Sequence, residues 1–292
     1  MSDSDLNRNL NVTDPQTGTR PAKKEDSFLV FLVKLVLIVA VFRSFIFSPF
    51  NIPSESMLPR LLVGDYLLAA KWPYGYSSYS LPFSLPLLPH RILARQPERG
   101  DVVIFKAPAN LDQDWIKRVI GLPGDSVQMR NGQLFLNGNA VPKLREPDFI
   151  HPLTPNVIAE ALTEGHLPCV DAKFQIVLPD GSAACRYPRF RETIPTSSGE
   201  KSYEVLDMGP GPNDNTPLVI VPRDSVFVMG DNRDNSADSR VPVEAGGVGI
   251  LPQANLVGRA TIMMWSTDGS MVWYEPWTWF TAARWSRIGG TF

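Results

Sequence analysis

Apolar residues follow two patterns along this chain. From Phe28 to Phe47 they run almost unbroken, with Lys34 and Arg43 the only charges; beyond Asn51 they come in short bursts bounded by Gly, Pro or Asp. About twenty helical residues, each rising about 1.5 Å, cover the roughly 30 Å hydrocarbon layer, so residues 28–47 predict a transmembrane helix that Pro49 ends. A cleaved secretory signal is the alternative. The run exceeds the usual apolar stretch of about 7–15 residues and large side chains follow it, which favours a retained anchor. Lys34 and Arg43 can send their charged heads toward an interface. Residues 1–27 are polar and predicted to be disordered. Arg20, Lys23 and Lys24 precede the span, which predicts a cytoplasmic N-terminus and a body on the outer face.

The bursts at Asp65–Ala70, Val102–Lys106, Ile116–Ile120, Ser126–Met129, Ser225–Met229 and Leu256–Trp265 are rich in β-branched and apolar residues and predict a mainly β, antiparallel body. Four Gly-Asp pairs, beginning at Gly64, Gly100, Gly124 and Gly230, punctuate them as turns. Asn131-Gly132 between two such runs predicts a tight hairpin. Residues 72–97, rich in proline and without a clear period, predict an extended surface loop, a candidate for facing lipid. From about Ala140 to Pro222 the pattern weakens, and this stretch reads as a β-rich inserted module. The predicted organisation is a leader (1–27), an anchor (28–47), a catalytic β domain (48–139 and 223–292) and the smaller insertion (140–222). Trp273, Tyr274, Trp277, Trp279, Phe280 and Trp285 predict either an interfacial aromatic surface or packing against the β body.

With 292 residues, 43% of them hydrophobic, the chain can bury a sizeable core beside its anchor. A net charge of −2 and the lack of a basic stretch with interleaved aromatics argue against nucleic acid as a partner. Cys169 and Cys185 are the only cysteines. In an exported domain they read most simply as one disulfide, with two buried thiols the alternative. Their spacing has no zinc-ligand pattern.

The chemistry-bearing candidates are Pro53-Ser54-Glu55-Ser56-Met57 and Trp115-Ile116-Lys117-Arg118. None of the three histidines, His90, His151 and His166, lies near a serine motif, so a Ser-His-Asp arrangement has no obvious proton acceptor. Lysine can serve a serine only when neutral, which burial among apolar neighbours can achieve at a cost on the order of 3 kcal/mol. On a strand, Lys117 shares a face with Trp115 and Val119, while Ile116 and Arg118 face the other way, Arg118 exposed or ion-paired. Alternation likewise turns Glu55 away from Ser56. Taken singly, such a lysine is more often an edge-strand solubility device, and Pro-Ser-x-Ser reads first as a turn.

Together these segments resemble a known family. Ile52 to Pro59, Gly64-Asp65, Arg99 to Phe105, Ile116 to Asp125, Gly230 to Arg240, Leu256 to Ala260 and Ser286 to Gly290 resemble, in order, the boxes of bacterial type I signal peptidases. The resemblance implies a serine endopeptidase of the bacterial plasma membrane that removes signal peptides from preproteins after small residues, close to phospholipid and the translocation machinery. It implies Ser56 as nucleophile, Lys117 as general base, an oxyanion hole from Ser54 and the Ser56 N–H, and no metal or cofactor. Ser236 would bond and orient the lysine ammonium, Asp238 and Arg240 would form a supporting ion pair, and Asp231 and Arg118 would stand behind them. Phe50, Ile52, Pro53, Met57, Leu61, Trp115 and Ile116 would line shallow apolar pockets. Two alternatives stay open: a relative specialised for pilus or conjugation proteins, and an inactive anchored scaffold of the export machinery, which would need none of these groups.

Overall fold

A computed structural model describes residues 27–81, 84 and 88–292. The predicted leader, apart from its last residue, lies outside them. The chain divides between Ile38 and Val39, and the body is one compact unit from Val39 to Phe292. Helix α1 spans Phe28–Phe45. It is, among the described residues, the one helix long and apolar enough to cross a membrane.

The helix stops before the predicted boundary because pairing captures the next segment. Strand β1 (Phe47–Asn51) runs antiparallel to β2 (Asp65–Ala70). Ser48 Oγ donates to Arg43 O, answering a carbonyl that the helix end leaves open, while Ser44 Oγ donates back to Ala40 O one turn earlier. Pro49 therefore lies in an edge strand, where its missing N–H costs no ladder bond, rather than at the helix end.

The strands that follow are β3 (Val102–Ala107), β4 (Asn110–Gly121), β5 (Ser126–Arg130), β6 (Gln133–Leu136), β7 (Asn139–Ala140) and β8 (Lys143–Pro152). After helix α2 (Pro155–Glu164) come β9 (Gln175–Val177), β10 (Ala183–Thr196), β11 (Gly199–Leu206), β12 (Val219–Ile220), β13 (Ser225–Met229), β14 (Leu251–Pro252), β15 (Leu256–Ser266) and helix α3 (Pro276–Thr281). The main sheet has the order β1-β2-β15-β3-β4-β13-β14, and the neighbouring pairs are antiparallel. A second sheet joins β12-β5-β6-β7 and a third β11-β10-β8, with β9 on β10. The fold is thus mainly antiparallel β. In the β5–β6 turn, Asn131 and Gly132 both have positive φ, 49° and 73°, the left-handed pair a two-residue hairpin requires.

Residues 72–97 depart from a bare surface loop. Tyr74 is 1% exposed and donates to Asp101 Oδ2 at 2.8 Å, which ties residues 72–76 to the body, and the Tyr76 main chain pairs with that of Ile92. Cys169 and Cys185 form a disulfide. It packs with Leu58, Tyr187 and Leu206 in one apolar cluster. The six aromatic residues from Trp273 to Trp285 are exposed.

Candidate active site

The serine segment leaves β1 and is tied back to the main sheet, because Ile52 N donates to Asp65 O and Gly64 N to Ile52 O. Met57, Leu58 and Leu61 are fully buried and anchor it. Residues 54–56 form a bend entering a turn, not a strand. The alternation expected for Glu55 therefore does not apply. Its side chain is buried at 2% exposure against His151, whose Nε2 lies 3.0 Å from Glu55 Oε1.

Lys117 comes from β4, which β3 and β13 flank in the main sheet. Its Nζ lies 2.7 Å from Ser56 Oγ and 3.0 Å from Ile116 O, with the Trp115 ring centroid at 5.8 Å. Burial, opposed by the charges of Asp238 and Asp231, lowers the Lys117 ammonium to about 8. Burial lowers Lys71 to about 8 as well, but its Nζ meets the main-chain oxygen of Ser80 at 3.4 Å. A hydroxyl at hydrogen-bond distance distinguishes Lys117. Ser54 Oγ stands 3.4 Å from Ser56 Oγ.

The turn after β13 closes the site from behind. Gly230 approaches so nearly that a Cβ there would meet Ser236 Oγ at 2.2 Å and Ser56 O at 2.5 Å. Asn232 donates its N–H to Ser56 O at 3.1 Å and its Nδ2 to Glu55 O at 3.1 Å. Arg240 pairs with Asp238 through two bonds of 2.9 and 2.8 Å, both side chains fully buried. Burial alone would raise the Asp238 carboxyl, but the Arg240 charge and bonds hold it below the ordinary carboxylate value. Arg118 is also buried and forks onto Asp231 at 2.7 and 2.6 Å, its guanidinium over the Tyr203 ring. Both faces of β4 are thus covered, and Arg118 takes the ion-paired option.

Two expectations fail here. Ser236 does not bond Lys117: its Oγ is buried without a hydrogen-bond partner, against Gly230. Met57 and Leu61 are not among the residues that line the cleft; with Ile52 they belong to the core. The cleft at Ser56 and Lys117 is lined by Phe50, Ile52, Pro53, Trp115 and Ile116 and gains Ile104 from β3. Its other wall was not foreseen: Glu160, Glu164 and His166 from α2 and the residues after it. Burial, then the nearby Glu55 charge, raises Glu160 to about 7. Thr154-Pro155 and Gly165 are helix start and stop signals that mark α2 in sequence. Among the described residues no group of three or more His, Cys, Asp or Glu side chains is arranged to hold a metal ion.

This geometry can be set beside known proteins. A family model described as signal peptidase, peptidase S26, matches residues 26–265. The chain belongs to the peptidase S26 family of signal peptidases. A signal peptidase I of Rickettsia typhi is 31% identical over 90% of this chain and 86% of its own, and one of Rickettsia massiliae is 32% identical over 88% and 84%. The solved signal peptidase I of Enterococcus faecalis V583 is 22% identical, with a TM-score of 0.28 over 57% of this chain and 98% of that one. Membership in a signal peptidase family supports peptidase activity on preproteins that carry signal peptides.

Proposed function

We propose that the chain is a membrane-anchored serine endopeptidase in which Ser56 is the nucleophile and Lys117 the general base. The observation that carries the reading is the 2.7 Å approach of a buried amine, lowered to about 8, to a serine hydroxyl. Neutral Lys117 Nζ takes the Ser56 proton as Oγ attacks the scissile carbonyl, and the resulting ammonium returns it to the leaving amine. Water then cleaves the acyl ester, with the same amine accepting its proton. The Ser56 N–H and the Ser54 hydroxyl face the developing oxyanion, a role worth about 3–4 kcal/mol per donor in comparable hydrolases. Asp238 and Asp231 offset part of the burial penalty on the ammonium. Arg240 and Arg118 hold those carboxylates in place.

The short apolar cleft around Phe50, Ile52, Ile104 and Ile116 suits small substrate side chains next to the cut and excludes larger ones by overlap. On this reading α1 is a single-pass anchor in the plasma membrane, with the N-terminus cytoplasmic, the body on the outer face and residues 140–222 a smaller module carried on it. The chain from Phe45 to Ser56 can extend at most about 36 Å at roughly 3.3 Å per residue, which keeps Ser56 near phospholipid and the exit of the translocation machinery.

The test is to incubate the protein in lipid vesicles with a preprotein and sequence the new N-terminus. Cleavage after small residues is expected, with none in Ser56→Ala or Lys117→Met at unchanged circular dichroism. Wild-type cleavage by either folded variant would overturn the assignment.

A further inference from the structure

Glu55 stands between the two serines of the site, and its carboxylate is buried at 2% exposure. A buried carboxylate is costly unless paired, so the partner dictates where the side chain can lie. That partner is His151, also 2% exposed, its Nε2 at 3.0 Å from Glu55 Oε1. His151 belongs to β8, far along the chain, and its place is fixed in turn. The Phe149 ring stacks on it at 5.7 Å, and Cys185 of β10 is its direct cross-strand neighbour. The disulfide from Cys185 to Cys169 then packs against Leu58, on the far side of Ser56. On the main-chain side, Asn232 and Leu58 N both donate to Glu55 O, and the Asn232 N–H holds Ser56 O. Glu55 is therefore gripped at its carbonyl and at its carboxylate, and its carbonyl carbon forms the peptide bond with the Ser56 nitrogen.

We infer that His151 is a positioning residue for the reaction: through its bond to Glu55 it fixes the Ser54–Ser56 turn so that Ser56 Oγ stays against Lys117 Nζ and the Ser56 N–H faces the cleft. This rests on the assignment of Ser56 as nucleophile. A purely structural pair would be replaceable by packed apolar side chains at little cost to stability, whereas a positioning pair would not be replaceable without loss of rate. Displacement of a reacting group by about 1 Å can cost on the order of a hundredfold in rate.

The test compares His151→Leu, His151→Gln, Glu55→Ala and the double variant Glu55→Ala/His151→Leu with the wild type and Ser56→Ala, in vesicles and on one preprotein. His151→Leu should lower kcat about tenfold or more with KM within about twofold, because the cleft itself is unchanged. Gln carries an amide nitrogen where the imidazole has Nε2, so His151→Gln should recover most of the rate. The double variant should be no slower than Glu55→Ala alone, since His151 acts only through Glu55, and it carries no orphaned carboxylate should His151→Leu fold poorly. Wild-type kcat in folded His151→Leu beside an inactive Ser56→Ala would overturn this inference alone, as would losses that multiply in the double variant. Activity in Ser56→Ala would remove the nucleophile assignment and this inference with it.

Discussion

The sharpest consequence of the site is its pH dependence. With Lys117 lowered to about 8, the amine is neutral in about 1% of molecules at pH 6, about 9% at pH 7 and about 90% at pH 9. The kcat/KM for a preprotein, which reports groups of the free enzyme, should therefore rise close to a hundredfold from pH 6 to 9 with a midpoint near 8. Glu160 in the cleft wall, raised to about 7, titrates in the same window. Glu160→Gln removes that titration and should leave the rise intact. Stability should move the same way. The folded pKa lies below the ordinary lysine value of 10.5, so the cost of burying the charge is fully present below pH 8 and is relieved as pH climbs toward 10.5. That cost is on the order of 3 kcal/mol. The assay is initial-rate cleavage in vesicles of constant composition across pH 6–9, with the substrate below KM. A flat or falling profile in both wild type and Glu160→Gln would refute a neutral lysine base.

Other outcomes follow from the same contacts. Gly230→Ala should lower kcat tenfold or more with the chain still folded, because the new methyl collides with Ser236 and the Ser56 carbonyl; cleavage rate and circular dichroism together check it. Arg118→Met leaves Asp231 buried without its fork and should cost about 3–5 kcal/mol in denaturant unfolding of the body. Replacing Cys169 and Cys185 together by serine frees a loop spanning a sequence separation of 16 and should cost about 3 kcal/mol in the same measurement.

Much of the architecture was legible because local patterns carried it. Asp65–Ala70 and Ser225–Met229 match β2 and β13 residue for residue, and Asn131-Gly132 marked the β5–β6 hairpin by its need for two positive φ values. Lys117 stood out only together with the serine segment and the Gly230–Arg240 stretch, since a lysine in an apolar run is, taken singly, more often a solubility device. Local patterns did not reach the serine segment: residues 54–56 are a bend entering a turn, so alternation has no hold on Glu55, and Met57 and Leu61, which the family resemblance placed in pockets, are core. Glu55 meets His151 across 96 residues of chain, a tertiary pairing with no local signal. Ser236 shows the limit of motif transfer: the residue stands at the site, but its hydroxyl bonds nothing there. Helix α2 was readable from Thr154-Pro155 and Gly165, yet the weak pattern around it concealed a wall of the cleft.

One proton on one amine decides the mechanism. It can be followed by labelling lysine at Cε with ¹³C, assigning the Lys117 resonance by comparison with Lys117→Met, and titrating the protein in micelles from pH 6 to 11. A neutral lysine base requires a midpoint near 8 for Lys117; a midpoint at the ordinary value of 10.5 would rule it out.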